Sequence, residues 1–273
     1  MQSEFRKSAG ILSLGVLCAV GVGMRANAAT VGLWLSDEGA GTTLNDSSGN
    51  GHHAQQTYNS TGGWTTDSPF EPNAANNSYN YNVTQFDVAD APDLDPSGDF
   101  TVEAWVKFGS TTGTPCLVSK RNVGGATSGY FLEFDYIGVF SFTTGNGSSY
   151  AGTSAALGSG AFASVPFSLH TWYHIAGIHT AVENVLYVNG ISNGGNGSGG
   201  AVAGNANPLT FGYYASGDKY NFDTQIDEIR LSNEALAANQ LGWSVGSFAD
   251  VPEPASFALA AIAGGFIAGR RRR

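Results

Sequence analysis

The chain has 273 residues, which allows one large all-β domain or two small ones. Charged residues make up only 12% of it and glycine occurs 38 times, a composition more typical of β-rich extracellular proteins than of helical cytosolic ones. Between residues 29 and 249, five Lys or Arg stand against nineteen Asp or Glu, a net charge of −14. A surface of this sign repels nucleic acid, so we expect no nucleic-acid partner.

Residues 1–28 have the three parts of a secretory signal peptide. A basic start is followed by an apolar run over 11–22 and an A-x-A cleavage site at Ala26–Ala28. The run is too short to span a bilayer comfortably, which disfavours an N-terminal membrane anchor. We therefore expect an exported protein. Because Cys18 leaves with the leader, Cys116 has no partner for an intrachain disulfide in the mature chain.

Alternation of apolar and polar residues predicts a mainly β chain, most clearly in Phe100–Phe108. All its even positions are apolar, whereas Thr101, Glu103 and Lys107 occupy odd ones. Side chains alternate faces along a strand, so one face is predicted to be buried. Nine residues is long for a strand and suits a central place in a large sheet. Trp105 interrupts the polar face; we expect it to pack in a second layer, and a ligand platform is the alternative.

Other apolar runs predict further strands, and Asn189-Gly190 between two of them predicts a hairpin turn. A short helix is predicted over Glu234–Leu241. Roughly ten to fourteen strands exceed an average sheet, so two packed sheets are expected. The predicted strands besides Phe100–Phe108 are Thr30–Leu35, Val83–Val88, Leu117–Ser119, Tyr130–Asp135, Val139–Thr143, Trp172–Thr180, Val185–Val188, Leu209–Tyr213 and Thr224–Leu231.

Two polar stretches, 59–82 and 192–207, are predicted to be loops within one domain. A sugar site needs an exposed aromatic ring for stacking, together with polar hydrogen-bonding partners. The aromatic residues in polar surroundings are the candidates for this role, although single exposed tyrosines are also ordinary surface residues. They are Trp64, Tyr79, Tyr81, Tyr213, Tyr214 and Tyr220.

Asp46, Ser48 and Asn50 place oxygen-bearing side chains at alternate positions before Gly51, as in the first half of a calcium-binding loop. The twelfth position is Thr57 rather than Glu, so the segment is not an EF-hand. A turn stabilised by its own backbone, an Asx-turn, is the alternative.

Residues 250–273 form a separate unit. Pro252, Glu253 and Pro254 precede an uncharged run, and the chain closes with Arg270, Arg271, Arg272 and Arg273. The run reaches about 22 Å as a helix, short of a bilayer core of about 30 Å, and the arginines favour a cytoplasmic C-terminus. On these grounds alone the segment would be a weak single-span anchor.

The three parts of this segment resemble the PEP-CTERM sorting signal of exported bacterial proteins. The resemblance implies processing by an exosortase near Pro252–Pro254. It also implies transient membrane association through the C-terminal segment and a final place at the cell surface or in the extracellular matrix.

The body, residues 29–249, resembles the LamG-like group of the concanavalin A-like lectin/glucanase superfamily. The matching pieces, in the family's order, are Gly32-Leu33-Trp34, Asp46–Gly51, Asp99–Val106, Trp172–Ala176, Leu186–Gly190 and Ile226–Leu231. The resemblance implies an all-β, two-sheet antiparallel jelly-roll sandwich, here flanked by an N-terminal signal helix and a C-terminal hydrophobic helix. It also implies a structural Ca²⁺ between the early loop and the last strand, which points to Asp227 beside the Asp46 loop.

Catalysis is not expected from the sequence. Glu133-Phe134-Asp135 is the nearest match to the catalytic strand of laminarinase-type members, but Tyr136, Ile137 and Gly138 occupy the place of the further carboxylate. A retaining glycosidase needs two carboxyl groups about 5 Å apart. His174 is expected to be a hydrogen-bonded structural residue rather than a base.

We therefore expect an exported, non-catalytic protein that binds extracellular polysaccharide or another glycan. A structural or adhesive matrix component that binds a surface protein is one alternative, and a degenerate glycan hydrolase is another. Fold alone does not decide between them.

Overall fold

The computed structural model describes residues 30–59, 61–70, 78–80, 84–110, 116–122, 127–135, 139–156, 166–196, 199–212 and 223–248. The predicted leader and the C-terminal sorting segment lie outside these ranges, and so do Tyr81, Tyr213, Tyr214 and Tyr220. Within these ranges, no helix has the length and apolar character needed to cross a membrane.

Sixteen strands are formed by the described residues. They are β1 Thr30–Trp34, β2 Thr43–Leu44, β3 Ala54–Asn59, β4 Gly63–Thr65, β5 Ser78–Asn80, β6 Thr84–Val88, β7 Phe100–Phe108, β8 Cys116–Arg121, β9 Ser128–Asp135, β10 Val139–Asn146, β11 Tyr150–Ala156, β12 Trp172–His179, β13 Asn184–Val188, β14 Ile191–Asn196, β15 Leu209–Phe211 and β16 Thr224–Ser232. Helical structure in the described part of the chain is limited to short 3₁₀ turns at Pro92–Leu94 and Ala238–Gln240 and to one helical turn, α1, at Gly242–Val245.

The strands form two antiparallel sheets of eight. The first runs β14-β13-β12-β7-β16-β5-β4, with β1 also paired to β16, and the second runs β11-β10-β9-β8-β15-β6-β3-β2. The N-terminal strand β1 pairs with the last strand, with Leu33 opposite Arg230. This architecture confirms the predicted jelly-roll sandwich with adjacent terminal strands.

The core lies between the two sheets and is built by the alternation seen in β7. Phe100, Phe108 and the residues between them at even positions all join one apolar cluster with aromatic residues of the second sheet, among them Phe134 and Phe142. Phe108 stacks on Phe134 with ring centroids 4.5 Å apart. Because β7 pairs with both β12 and β16, it has the central position predicted for it.

A second layer covers the outer face of the first sheet. Trp105 is only 7% exposed and contacts the rings of Phe70, His174 and Trp243 at centroid distances of 5.4, 5.3 and 5.7 Å. Trp243 belongs to α1, in the segment 233–248 that crosses this face. The packing interpretation of Trp105 is therefore confirmed.

Local predictions have mixed outcomes. Asn189 and Gly190 both have positive φ, 49° and 73°, as a two-residue type I′ hairpin requires, so that turn is confirmed. The helix predicted over Glu234–Leu241 is wrong, because only the 3₁₀ turn at Ala238–Gln240 and α1 form. The predicted loops 59–82 and 192–207 contain the strands β4, β5 and most of β14. Backbone pairing supplies the order that their polar composition lacks: β5 pairs with β4 and the distant β16, and β14 pairs with its hairpin neighbour β13.

Candidate functional site

The outer face of the second sheet carries a row of mostly polar residues. Residues directly opposite each other in a ladder point to the same face, and the register aligns Gln55, Asp87, Thr210, Ser119, Phe131 and Thr143 across β3, β6, β15, β8, β9 and β10. Their strand neighbours, such as Phe86, Phe211 and Leu132, point inward to the core. The row therefore lies on the side of the sheet turned away from the core, and we call it the outer row. Gln55 is exposed and Asp87 and Thr143 are half-buried, whereas Thr210, Ser119 and Phe131 in the middle of the row are buried.

Asp87 organises one half of the outer row. Its carboxylate accepts hydrogen bonds from the Thr210 hydroxyl (2.9 Å), the Thr57 hydroxyl (2.8 Å) and the Gln85 amide (2.7 and 2.9 Å). Three strands thus hold one carboxylate in a fixed place on the face. A carboxylate with positioned hydroxyl and amide neighbours is a hydrogen-bonding surface suited to a polyhydroxylated ligand.

Aromatic and charged side chains surround Phe131, near the other end of the outer row. The Arg121 guanidinium lies 4.3 Å from the centroid of the Phe131 ring, and Tyr150 meets Phe131 edge-on at 5.6 Å. Glu133, two residues along β9, accepts a hydrogen bond from Ser141 (3.2 Å) and lies 3.9 Å from Arg121. Tyr150 is 39% exposed, so its ring is open to a ligand while its edge is fixed by Phe131.

A second exposed tyrosine lies at the opposite end of the face. Tyr58 on β3 is opposite Gln85 and is 37% exposed. Six strand spacings separate β3 from β11, which carries Tyr150, so the face is about 28 Å wide between them. That width exceeds one sugar ring and matches an extended ligand.

Sequence reasoning missed Tyr58 and Tyr150 and named other aromatics. Tyr79 is buried at 2% exposure on β5, packed on Phe86, and burial raises the pKa of its hydroxyl even though Gln56 donates a hydrogen bond to it. Tyr79 is therefore not the exposed ring that was predicted. Trp64 is half-buried, edge-on to Tyr79 at 5.0 Å, with its indole N–H bonded to the Gly41 carbonyl at 3.0 Å.

A usable signal for the outer row was present in β9. Tyr130, Leu132 and Phe134 are the inward set of an alternating strand, which leaves Phe131 and Glu133 as an aromatic and a carboxylate on the opposite face. The polar composition of a segment is a weaker guide to exposed aromatic residues, because it does not show which strands the segment pairs with in the folded protein.

The Asp46 loop takes the Asx-turn form. One carboxylate oxygen accepts from the Leu33 N–H (3.0 Å) and the Ser48 N–H (2.9 Å), and the other accepts from the His52 N–H (2.9 Å). These hydrogen bonds outweigh the opposing effect of burial and lower the pKa of Asp46. Asn50 donates to the Thr30 and Val31 carbonyls. The loop is thus stabilised by its own backbone, and these contacts do not bring Asp46 to Asp227.

Asp227 has a different environment. It is 1% exposed, accepts hydrogen bonds from the Glu228 N–H (2.9 Å) and the Ser68 hydroxyl (3.2 Å), and its pKa is raised well above the usual range. Burial is the main cause, followed by the negative charges of Glu228 and Asp37. A buried carboxyl beside other carboxylates suits a cation, but the described residues contain no group of three His, Cys, Asp or Glu side chains arranged to hold one. A Ca²⁺ here stays a prediction that rests on Asp227 rather than on Asp46.

The carboxylates of the outer row are not arranged as a glycosidase pair. Asp87 and Glu133 lie on β6 and β9, three strand spacings or at least about 14 Å apart. Retaining and inverting enzymes need about 5 Å and about 6.5–9.5 Å, respectively. The geometry of these two groups fits binding better than hydrolysis.

Two family models match the chain. The model of the concanavalin A-like lectin/glucanases superfamily matches residues 80–242, and the PEP-CTERM protein-sorting motif matches residues 250–273. The second match indicates an exported, surface-sorted protein. No curated protein sequence matches the chain.

Solved structures share the fold at low identity. Domain 4 of a GH43 extracellular arabinanase from Geobacillus stearothermophilus, in complex with arabinotriose, is 18% identical with a TM-score of 0.58, covering 80% of this chain and 97% of that one. The binding domain of Paraclostridial Mosquitocidal Protein 1 is 16% identical with a TM-score of 0.59, covering 77% and 50%. The botulinum neurotoxin serotype D binding domain is 14% identical with a TM-score of 0.56, covering 77% and 50%. The chain thus spans about half the length of these toxin domains.

Proposed function

Because the chain belongs to the concanavalin A-like lectin/glucanases superfamily and ends in a PEP-CTERM sorting motif, we propose that it is an exported, non-catalytic glycan-binding protein of the cell surface. Its ligand is an extracellular polysaccharide, bound across the outer row of the second sheet. An exosortase processes the C-terminal segment near Pro252–Pro254.

One observation carries this proposal: exposed Tyr58 and Tyr150 lie at the two ends of one sheet face, on which hydrogen bonds hold the Asp87 carboxylate one strand away from Tyr58. Rings at both ends can stack on sugar units, while exposed polar groups beside Asp87, those of Gln55 and Thr57, can bond their hydroxyl groups. The width of about 28 Å suits a chain of several sugars rather than a single one.

The compared proteins add support of a general kind. One structure holds arabinotriose on a domain of this fold, and others are binding domains of toxins. A polysaccharide outside the cell is also the ligand that a surface-sorted domain would meet first. The strongly acidic body favours a neutral polymer over an acidic one, since like charges would repel.

The experiment is a pull-down of the full-length chain on immobilised extracellular polysaccharide from the producing cells, with immobilised surface protein as a parallel arm. We expect retention on the polysaccharide and a loss for Tyr150→Ala, which removes an exposed ring and leaves the hydrogen bonds of Asp87 in place. Retention on surface protein alone would favour the adhesive alternative. Release of reducing sugar from β-glucans would refute the non-catalytic assignment.

A further inference from the structure

A small polar pocket opens on the other sheet, away from the outer row. Trp172, Lys107 and Gln225 lie opposite one another across β12, β7 and β16, so their side chains share the outer face of the first sheet. Asp67 and Asp223 border the same pocket, and its volume is about 100 Å³. We call it the Lys107 pocket.

The walls of the pocket are held in place by specific contacts. Asp67 forms an ion pair with Lys107 and accepts a hydrogen bond from the Trp172 indole N–H at 3.2 Å. The Lys107 ammonium lies 5.2 Å from the centroid of the Trp172 ring. The Gly109 N–H donates to the Asp223 carbonyl at 2.6 Å, and a Cβ on Gly109 would come within 2.1 Å of the Asp223 carboxylate. Glycine at this position thus leaves room for that carboxylate.

One buried acceptor in the pocket lacks a donor. The side-chain oxygen of Gln225 is buried and has no hydrogen-bond partner among the described residues. Buried polar groups are nearly always paired, so a donor from outside the chain is expected there. The pocket has room for about three water molecules, which would satisfy this oxygen in the free protein.

We propose that the Lys107 pocket is a second glycan site, which takes the hydroxyl-bearing edge of an uncharged sugar unit. Hydroxyl groups displace the water, donate to Gln225 and to the carboxylates of Asp67 and Asp223, and accept from Lys107. Trp172 lies beside the lining, where its contacts with Asp67 and Lys107 hold an aromatic ring next to the pocket. The lining has two carboxylates against one ammonium, together with the His170 imidazole, so the pocket repels the carboxylate of a uronic acid.

A second site on the opposite sheet changes what the domain does. The outer row and the Lys107 pocket face opposite directions, so one domain can hold two polysaccharide chains at once. Such a domain cross-links a polymer network and gains avidity without any new contact. This site does not depend on the outer row, and either site can exist without the other.

The test is NMR of the full-length chain labelled with ¹⁵N, in which the five tryptophan indoles and the Gln225 amide are separate reporters. Arabinotriose, maltotriose and trigalacturonate are titrated to the same millimolar concentration. We expect the Trp172 indole and Gln225 amide signals to shift with at least one neutral trisaccharide and not with trigalacturonate. Trp172→Phe assigns the indole.

Variants separate this site from the outer row. The shifts should persist in Tyr150→Ala, which alters only the outer row, and disappear in Gln225→Ala while the other indole signals stay in place. No shift of either reporter with both neutral sugars would overturn the proposal, and so would an equal response to trigalacturonate. Shifts that vanish in Tyr150→Ala but survive Gln225→Ala would refute the second site and leave the outer row as the glycan site.

Discussion

At the scale of single residues, Trp105 shows how a side chain on a polar face can be structural. It is enclosed by Phe70, His174 and Trp243, and none of these belongs to the main core between the sheets. We expect Trp105→Ala to reduce the free energy of unfolding by about 3–5 kcal/mol, the usual cost of losing a buried large aromatic. Denaturant unfolding measures this, with Ile191→Ala, an exposed residue, as the control. Normal stability with lost glycan binding would make Trp105 a ligand residue instead.

Asp227 gives a residue-scale prediction with a defined sign. Its raised pKa means that the folded state holds a proton more tightly than the unfolded chain. The protonated carboxyl therefore contributes to the free energy of unfolding. This contribution is fully present below the ordinary aspartate pKa of about 3.9 and is lost as pH rises toward the folded-state pKa. At neutral pH without metal, Asp227→Asn should therefore raise the melting temperature. A decrease in EDTA at pH 7 would contradict this interpretation.

The calcium prediction follows from the same residue. Ca²⁺ that binds only the folded state stabilises it by about 2.7 kcal/mol at a hundredfold excess over Kd. We expect millimolar Ca²⁺ to raise the melting temperature of the full-length chain, and Asp227→Asn to remove the response. Asp46→Ala should instead lower the melting temperature equally in Ca²⁺ and in EDTA, because it breaks an Asx-turn. Identical melting curves of the wild type in Ca²⁺ and in EDTA would refute a Ca²⁺ site.

At the scale of elements, the segment 233–248 acts as a clamp on the first sheet. The buried Glu103 carboxylate accepts from Arg230 Nε (2.7 Å), from the Gly242 N–H (2.8 Å) and from the His174 ring, whose Nε2 lies 2.8 Å away. His174 is thus the hydrogen-bonded structural residue that was expected. Arg230 also lies 4.1 Å from the Phe248 ring centroid, which ties the end of the segment to the sheet.

This clamp should make stability fall in acid. Burial alone would raise the pKa of Glu103, but Arg230, His174 and the Gly242 N–H outweigh it and the pKa is lowered. The stabilisation that the ionised Glu103 carboxylate provides is present above the ordinary glutamate pKa of about 4.3 and is lost as pH falls through the folded-state pKa. Glu103→Gln should lower the free energy of unfolding by about 3 kcal/mol at pH 7. It should also weaken the dependence of that free energy on pH in the acid range. Denaturant titrations at several pH values measure both, and an unchanged profile would contradict the assignment.

The clamp also predicts where the chain can be cut. Removing residues 249–273 should preserve the clamp, because the residues that form it lie at or before Phe248. Removing 233–273 should lower it strongly, since Glu103 and Arg230 lose their partners on the segment. Exosortase processing near Pro252–Pro254 would therefore leave the residues of the clamp in place. Calorimetry of the two truncated chains compares them directly, and equal melting temperatures would refute the clamp.

At the scale of the whole molecule, the sequence predicted the sandwich but not the outer row that we propose as the glycan-binding surface. The alternation in Phe100–Phe108 and the Asn189-Gly190 turn are local signals, and both are confirmed. The burial of Tyr79 depends on pairing of β5 with β16, more than 140 positions further along the chain, which no local pattern reports. The outer row likewise combines single residues from six strands, each unremarkable alone.

The sorting motif makes a prediction for the whole chain. The motif at 250–273 matches a signal that an exosortase processes, so mature surface protein should lack Arg270–Arg273. Mass spectrometry of surface material from cells with an active exosortase would show this. An intact C-terminus on that material would refute processing, and cells without the exosortase provide the control.

The most direct test of glycan binding through the outer row is the dissociation constant of the full-length chain for the purified extracellular polysaccharide of the producing cells. Loss of one aromatic contact costs about 0.5–1.5 kcal/mol, roughly a twofold to tenfold change in Kd. We expect saturable binding by the wild type, weakening of that size in Tyr150→Ala, and no change in the exposed control Ile191→Ala. Absence of binding by the wild type, or equal affinity in Tyr150→Ala and wild type, would contradict the account.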